Sequence, residues 1–214
     1  MIRVMTHRDR SREPALFDQM HRLRKKVFHD RLQWDVPLRG EWEIDRFDDA
    51  CDPVYLMSVD GAGVLRGSLR LLPTTGPNML ADVFSDLLPD GKPVESATIW
   101  ESTRFSVDHE AAAERTEHSL NRVTGELLCG IVEVGQIAGL TDVVSVYDAM
   151  FARILKRANC PAEPIGEPRR IGRVLAFAGL FEISDRMLGN LRAAAGIRSS
   201  VLEPESVERF ARAA

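Results

Sequence analysis

The sequence predicts an α/β fold in which helices flank a mixed, mostly antiparallel sheet. Apolar runs of strand length, several of them bounded by Gly or Pro, recur along the chain. Amphipathic segments with apolar residues at helical spacing separate these runs. No repeat, low-complexity segment or linker divides residues 1–214, so we expect the chain to form a single domain.

The composition excludes several classes of protein. The chain is 44% hydrophobic and 28% charged, which is sufficient for a substantial core, and its net charge of −4 gives no general attraction to nucleic acid or anionic membranes. Its 3 cysteines are widely spaced and fit neither a disulfide framework nor a zinc site. No apolar run approaches the ~20 residues of a membrane span. We therefore expect a soluble, cytoplasmic protein that binds neither nucleic acid nor membrane.

The N-terminal elements follow from their patterns. Residues 2–6 predict a short strand, and residues 14–32 predict an amphipathic helix with Pro14 in its first turn. Residues 34–53 are aromatic, acidic and interrupted by Pro and Gly, which indicates a long and therefore functional loop. Residues 54–73 form two apolar runs around a Gly-rich turn, the pattern of a β-hairpin.

The remaining elements alternate between helix and strand. A short helix is predicted around residues 80–88, a strand at 99–107, and a long helix from about 111 to 140. A strand at 142–148, a helix at 149–158 and a strand at 173–183 follow. Ser184 is a suitable cap for a last helix that extends to residue 195.

Charged residues interrupt two of the predicted strands. Arg70 lies in GSLRLL, and Glu101 and Arg104 lie in WESTRF, while Asp45 and Asp48 neighbour aromatic residues. Burying such groups is costly unless they are paired, and breaking a buried pair costs about 3–5 kcal/mol. Two interpretations remain open from the residues alone: a structural network of ion pairs, or a polar cleft for a charged ligand.

Strand geometry makes the second interpretation testable. In a regular strand Glu101 and Arg104 point to opposite faces, because side chains alternate with a period of two. If both serve one cleft, the strand must contain a β-bulge, a feature that is common beside active sites. We therefore predict that two residues of strand 100–106 oppose one residue of a neighbouring strand.

No other motif carries a competing chemistry. The sequence contains no GxSxG, HExxH or P-loop, and its 5 histidines show no metal-ligand spacing, so we expect no metal site. The basic segment RLRKK (22–26) is interpreted either as a solvated helix face or as a patch for an acidic partner.

The charged and aromatic residues together form a family pattern. The supporting phrases are RKKVF, LQWDVP, EIDRFDD, GSLRLL, PTTGPNML, FSDLL and WESTRF. The residues that carry it are Arg24, Phe28, Trp34, Asp45, Asp48, Arg70, Phe84, Glu101 and Arg104. In order and approximate spacing, roughly residues 2–200 resemble the LuxI-type acyl-homoserine-lactone synthases.

The resemblance implies a GNAT-like acyltransferase fold. Two central strands, here WESTRFSV and DVVSVYD, would splay apart to admit the pantetheine arm of an acyl donor. The implied reaction joins S-adenosylmethionine to an acyl thioester, both as substrates, so we expect no cofactor. QIAGLT departs from the CoA-binding motif of GNAT enzymes at its last position, which favours acyl-carrier protein as partner, although some family members take acyl-CoA.

The resemblance also implies roles for the residues. Glu101 would be the base that takes the amine proton, with Asp45 and Asp48 positioning the cationic substrate. Arg24, Arg70 and Arg104 would neutralise the substrate carboxylate or hold the acidic network, with Arg104 as the charge partner of Glu101. The aromatic residues Phe28, Trp34 and Phe105 would contact the adenine or the sulfonium of S-adenosylmethionine.

An apolar pocket for the acyl chain is also implied. Ser145 aligns with a family position that contacts an oxygen at acyl C3. The apolar candidates for its lining are Phe84, Leu127, Ile131, Val144, Val146, Met150 and Leu175. Plain core packing is the alternative interpretation for the apolar candidates.

Two other functions remain open. The first is a GNAT-type N-acyltransferase that uses acyl-CoA with another amine acceptor. The second is a non-catalytic regulator that binds a carrier protein or a nucleotide, which the complete set of charged residues disfavours.

Overall fold

A central eight-stranded sheet organises the protein. The computed structural model describes residues 1–108, 110 and 120–213. The strand order is β1-β4-β5-β6-β7-β10-β8, and β9 pairs with β10. Every strand pair of this sheet is antiparallel except β6 with β7, so the predicted mixed, mostly antiparallel sheet is confirmed.

The strands of the sheet are β1 (Ile2–Thr6), β4 (Val54–Val59), β5 (Leu65–Pro73), β6 (Ile99–Val107), β7 (Asp142–Asp148), β8 (Glu163–Pro164), β9 (Arg169–Ile171) and β10 (Val174–Glu182). The strands β2 (Leu38–Arg39) and β3 (Trp42–Glu43) form a separate hairpin. The α-helices are α1 (Pro14–Arg24), α2 (Arg46–Ala50), α3 (Met79–Asp82), α4 (Arg122–Ile137), α5 (Ala149–Arg157), α6 (Asp185–Ala195) and α7 (Pro204–Ala213).

Helices cover both faces of the sheet. On one face α4, α5, α6 and α7 bury the largest apolar cluster, which includes Leu56, Leu69 and Leu71. On the other face α1 packs against Tyr55 and Met57, which alternate with Leu56 along β4. We call the side of the sheet that α1 covers the α1 face. Because successive strand residues face opposite sides, the residues that pair in register with Tyr55 also lie on the α1 face.

The helix predicted at 14–32 changes type within its length. It is α-helical to Arg24 and continues as a π-helix over Lys25–Arg31. A π-helix inserts an extra residue in its turn, a change that is frequent at functional sites.

The sequence underestimated the short elements. The loop predicted at 34–53 contains the β2–β3 hairpin and α2, and β8, β9 and α7 were not predicted. The strands and α2 have five residues or fewer, so they carry little hydrophobic periodicity. Helix α7 is amphipathic, and its Val207 and Phe210, three residues apart, were a usable signal. The prediction of helix at 111–119 lies outside the described residues, and the described part of that helix is α4.

Strands β6 and β7 part in the middle of the sheet. Their parallel pairing runs from Ile99 with Asp142 to Ser102 with Ser145 and ends there. β6 continues to Val107 along β5, and β7 continues to Asp148 along β10. The expected splayed pair is therefore present. Within the described residues, no helix is long and apolar enough to cross a membrane.

Candidate active site

A cluster of three arginines and three carboxylates lies buried on the α1 face. Arg24, at the end of α1, is 1% exposed and donates to both oxygens of Asp48 at 2.8 Å. Its Nε donates to Glu43 on β3. This bidentate geometry is the strong form of a charge-assisted hydrogen bond.

Arg70 forms the second part of the cluster. Its Nη1 and Nη2 donate to Asp45 at 2.6 and 3.0 Å, and Nη1 is 2.9 Å from Asp48 Oδ1. The Tyr55 hydroxyl donates to the same Asp48 oxygen at 2.8 Å, and Arg70 Nε donates to Thr103 at 3.1 Å. Tyr55, Arg70 and Thr103 pair in register across β4, β5 and β6, which places the three side chains on one face.

Arg104 completes the cluster from β6. Its Nε donates to Glu43 at 3.0 Å and its Nη2 lies 2.7 Å from Asp45 Oδ2. Glu43 thus lies between Arg24 and Arg104, and Asp45 lies between Arg70 and Arg104. The formal charges of the cluster cancel.

The predicted β-bulge is present at Arg104. The β5–β6 register shifts between Arg70 with Thr103 and Ser68 with Ser106, so Arg104 and Phe105 oppose Leu69. Arg104 has φ 55°, the left-handed conformation that glycine usually supplies in one class of bulge. The extra residue falls at Arg104 and directs its side chain to the α1 face.

A capping box orients two of the carboxylates. Asp45 is the N-cap of α2, and its Oδ1 accepts from the Phe47 N–H at 2.9 Å. Asp48 accepts from the Asp45 N–H at 2.9 Å. The D-x-x-D spacing in IDRFDD therefore orients both side chains through local hydrogen bonds.

The cluster shifts the pKa values of its members. Burial by itself would raise the pKa of Asp48, but the charges of Arg24 and Arg70 outweigh it and hold that pKa well below its ordinary value. Burial lowers the pKa of Arg104 despite the nearby Glu43. Burial, and then the charge of Arg24, lower the pKa of His21 to about 4, and the His21 ring Nδ1 lies 3.1 Å from the Glu43 carbonyl oxygen.

Glu101 lies beside the cluster with different partners. It is fully buried, and its two oxygens accept from the Met79 and Leu80 N–H groups at 2.7 Å each. Burial raises the pKa of Glu101 to about 7, although these two hydrogen bonds oppose the shift. The predicted pairing of Glu101 with Arg104 is wrong, because Arg104 is taken up by Glu43 and Asp45.

Met79 connects Glu101 to the arginines. Its sulfur accepts from Arg104 Nη1 at 3.2 Å and from Arg70 Nη2 at 3.4 Å. The first residues of α3 thus contact Glu101 through their backbone and the arginines through a side chain.

The predicted aromatic residues separate into two places. Phe28 and the partly buried Trp34 stack at 5.4 Å, and Arg104 lies over the Phe28 ring at 5.6 Å. Phe105 instead contacts Phe151 of α5 edge to face at 4.9 Å and packs with the cluster on the opposite face. The bulge turns Arg104 and Phe105 to opposite sides, so Phe105 does not join the other two.

Only some of the predicted acyl-pocket residues come together. Val144 and Val146 of β7 pack with Phe84 in an apolar cluster that also contains Leu80, Ala176 and Ala178. We call this the β7–β10 cluster. Val144 is paired with Glu101, so the cluster lies on the α1 face beside that carboxylate.

The other acyl-pocket candidates lie elsewhere. Met150 is 60% exposed and Leu175 is 41% exposed, whereas Leu127 and Ile131 belong to the cluster under α4 on the opposite face. Ser145 donates its hydroxyl to the Ser102 carbonyl at 2.9 Å, at the last paired position of β6 and β7.

The basic segment RLRKK is not a free positive patch. Arg24 is buried, Arg22 is bonded to Asp18, and Lys26 is bonded to Asp108. Lys25 lies 3.4 Å from Glu41. These acidic partners neutralise the helix face that the sequence analysis considered as a patch for an acidic partner.

Sequence reasoning missed three residues of the site. They are Glu43, which accepts from Arg24 and Arg104, Tyr55, which donates to Asp48, and Met79, whose sulfur accepts from Arg70 and Arg104. Glu43 had a usable signal, because it stands two residues before Asp45 and beside aromatic residues in EWEIDRF. Tyr55 and Met79 had none, because each resembles an ordinary core residue.

The chain is similar to one family of known proteins. A family model described as autoinducer synthase matches residues 7–191. The acyl-homoserine-lactone synthase of Rhizobium etli is 37% identical over 194 residues, which cover 90% of this chain and 89% of that relative. The solved structure of MesI, a CoA-dependent acyl-homoserine lactone synthase, matches with a TM-score of 0.82 and 26% identity, covering 94% of this chain and 98% of its own.

A more distant structure supports the fold alone. An acyl-CoA N-acyltransferase from Pseudomonas aeruginosa matches with a TM-score of 0.56 at 16% identity, covering 84% of this chain and 97% of its own. Together with the parted strands, these likenesses confirm the predicted acyltransferase-like fold.

Proposed function

The chain belongs to the autoinducer synthase family and is an acyltransferase of the acyl-homoserine-lactone synthase type, and we propose that it makes its lactone from S-adenosylmethionine and an acyl thioester. The observation that carries the proposal is the parting of β6 and β7 directly beside Glu101 and the arginine–carboxylate cluster. Both molecules are consumed, so they are substrates and not cofactors.

The proposed reaction has two bond exchanges. The methionine amine attacks the thioester carbonyl, the carbon–sulfur bond of the thioester breaks, and an amide and a free thiol result. The methionine carboxylate oxygen then attacks the γ-carbon. The bond between that carbon and the sulfonium sulfur breaks, and its electron pair passes to the sulfur. Methylthioadenosine leaves and the homoserine lactone closes.

Glu101 is the base that we propose for the amine proton. A general base works best with a pKa near the operating pH, and the pKa of Glu101 is raised to about 7. Each of its oxygens accepts one backbone N–H, and a carboxylate has about four acceptor positions, so acceptor capacity remains. Glu101 also stands one residue before β6 and β7 separate at Ser102.

The partly buried Trp34 and its stacking partner Phe28 mark the place proposed for S-adenosylmethionine. An aromatic face attracts a sulfonium as it attracts other cations. Arg104 lies over the Phe28 ring and is already bonded to Glu43 and Asp45, so in this proposal it attracts the substrate carboxylate by its charge. Arg24, Arg70, Asp45 and Asp48 hold Arg104 and its neighbours in position in this proposal.

Acyl-carrier protein is the donor that we propose, and its docking surface differs from RLRKK. Exposed cations lie on α5 and on the β9–β10 hairpin, and Ala176 of β10 pairs with Asp148, the residue that precedes α5. None has an ion-pair partner among the residues that the structure describes, although the exposed Glu167 is near them in sequence. They are Arg153, Lys156, Arg157, Arg169, Arg170 and Arg173. We call them the α5–β9 basic surface, which suits a strongly acidic carrier.

The test uses the purified protein with S-adenosylmethionine and acyl thioesters. We expect mass spectrometry to find acyl-homoserine lactone and methylthioadenosine in equal amounts. Glu101→Gln is expected to lower kcat by about 10²–10⁴-fold, the usual contribution of a general base. Unfolding curves establish that the variant is folded.

Two results would contradict the proposal. Transfer of the acyl group to another amine, without methylthioadenosine, would indicate the other N-acyltransferase function. Full activity of folded Glu101→Gln would exclude Glu101 as the base.

A further inference from the structure

The β2–β3 hairpin supplies a central carboxylate of the site but is a weak element by itself. Its two strands have 2 residues each, pair with each other and lie outside the main sheet. Nevertheless β3 carries Glu43, whose side chain is fully buried and accepts from Arg24 and Arg104. An isolated two-stranded hairpin is marginally stable at best. The position of Glu43 therefore depends on what holds the hairpin.

One stripe of α1 holds the hairpin through three contacts. They join Asp18 to the Trp42 indole N–H at 2.9 Å, His21 Nδ1 to the Glu43 carbonyl oxygen at 3.1 Å, and Lys25 to Glu41 at 3.4 Å. Positions 18, 21 and 25 follow the three- and four-residue spacing of one helix face. The His21 contact is buried and the other two are exposed, where charged contacts contribute little. His21 is thus the main anchor of the stripe.

The direction of the His21 hydrogen bond follows from its partner. A carbonyl oxygen can only accept, so Nδ1 of His21 must carry the proton. The ring is 3% exposed, and its pKa, lowered to about 4 by burial and then by the charge of Arg24, keeps it neutral at neutral pH. If this N–H were removed, the Glu43 carbonyl would lose its donor in a buried place.

We propose that His21 is a positioning residue that fixes Glu43 and, through it, Arg104. The inference rests on the proposed function, in which Arg104 attracts the carboxylate of S-adenosylmethionine. Glu43 accepts from Arg104 Nε at 3.0 Å, so displacement of β3 would leave Arg104 with Asp45 as its carboxylate partner in the described structure. The place of Arg104 over the Phe28 ring, where the substrate is proposed to bind, would then no longer be fixed from both sides.

The experiment compares side chains that place an N–H group differently. In His21→Asn the amide nitrogen is two bonds from Cβ, as Nδ1 is in histidine, so the bond to the Glu43 carbonyl is retained. In His21→Gln the nitrogen is one bond farther away, and His21→Leu has no donor. We expect the last two to raise KM for S-adenosylmethionine about 10-fold and His21→Asn to stay within about 2-fold. KM for the acyl thioester should stay within about 2-fold in all three variants.

Methylthioadenosine separates positioning from a general loss of structure. It has the adenosine and the sulfur of S-adenosylmethionine but no carboxylate, so Arg104 does not attract it. Calorimetry should show that His21→Leu weakens binding of S-adenosylmethionine about 10-fold and leaves binding of methylthioadenosine unchanged. Lys25→Ala is the matched control on the same stripe, because its contact with Glu41 is exposed, and it should change neither affinity.

Hydrogen exchange tests the structural step without a substrate. Amide exchange over residues 38–45 should be faster in His21→Leu and His21→Gln than in the wild type and His21→Asn. Unchanged exchange in the first two variants, or equal weakening of both ligands, would overturn the inference, and if His21→Leu does not fold, His21→Gln decides. If the exchange pattern is as expected but the wild type makes no lactone, the proposed function fails while His21 remains the anchor of the hairpin.

Discussion

Buried charge dominates the site at the scale of single residues. Asp48 bonds two arginines and a tyrosine hydroxyl, whereas the Glu101 carboxylate, among the described residues, accepts hydrogen bonds from two backbone N–H groups. The pKa of Asp48 is therefore lowered and that of Glu101 is raised, although both carboxylates are buried. Burial opposes the ionisation of both carboxyl groups, so the direction of each pKa shift depends on whether an arginine lies within bonding distance.

Glu101 and His21 are expected to affect stability with opposite signs as the pH changes. Folding raises the pKa of Glu101 from 4.5 to about 7, so its contribution to the free energy of unfolding falls by about 3 kcal/mol as the pH rises through that window. Folding lowers the pKa of His21 from 6.5 to about 4, so its contribution rises by about the same amount over pH 4 to 6.5.

Urea unfolding between pH 4.5 and 6.5 tests this balance. The two contributions offset each other in the wild type, so Glu101→Gln should leave the rise that is due to His21. His21→Gln should leave the fall that is due to Glu101. Identical pH profiles for the wild type and Glu101→Gln would show that Glu101 does not titrate in this window.

At the scale of elements, close helix packing supports the sheet beneath the site. A Cβ on Gly125 of α4 would lie 2.2 Å from the Ala195 Cβ of α6. The two helices therefore approach through a glycine, and α4 in turn packs against β4 and β5, the strands that carry Tyr55 and Arg70.

Gly125→Ala should destabilise the protein by about 1–3 kcal/mol, the usual cost of overpacking, in spite of the higher helix propensity of alanine. Gly189→Ala in α6 is the matched control, because a Cβ there meets nothing within 4 Å. It should stabilise the protein by about 0.5–1 kcal/mol. The free energy of unfolding from urea titration measures both, and equal effects would mean that α4 and α6 have room to separate.

At the scale of the whole molecule, charge is unevenly distributed. The chain has a net charge of −4, yet the cations of the α5–β9 basic surface have no ion-pair partner in the described part of the structure. The cations of RLRKK, in contrast, are paired or buried. Local surface charge, and not net charge, is what a docking partner meets.

The double variant Arg153→Glu and Arg157→Glu should raise KM for an acyl-carrier-protein donor by about 10-fold and weaken its salt dependence, because charges at the rim of an interface govern encounter. Lys26→Glu on α1 is the control and should have a smaller effect. Kinetics at increasing salt concentration measure both. If Lys26→Glu raised KM as much as the double variant does, the α5–β9 basic surface would not be the preferred docking site.

The predictable part of the fold was carried by residues close in sequence. The hairpin 54–73 follows from two apolar runs around a Gly-rich turn, and the strand 99–107 follows from its aromatic and β-branched residues; both are present. The bulge also followed from the sequence, because a strand that presents both Glu101 and Arg104 to one cleft cannot be regular. The strands β8 and β9 escaped prediction because they have 2 and 3 residues and form by pairing with β10. Helix α7 is amphipathic, a pattern that the prediction did not use.

The sequence by itself indicated Arg70, Glu101 and Arg104, since charges in predicted strands are too costly to be accidental, but it did not indicate Glu43. Only the tertiary structure decided how they pair. It placed Arg104 against Glu43 and Asp45, gave Glu101 the N–H groups of α3, and turned Phe105 to the opposite face. The physical reason is that periodicity is a property of neighbouring residues, whereas an ion pair forms between side chains that α1, α2, β3, β5 and β6 bring together from distant parts of the chain.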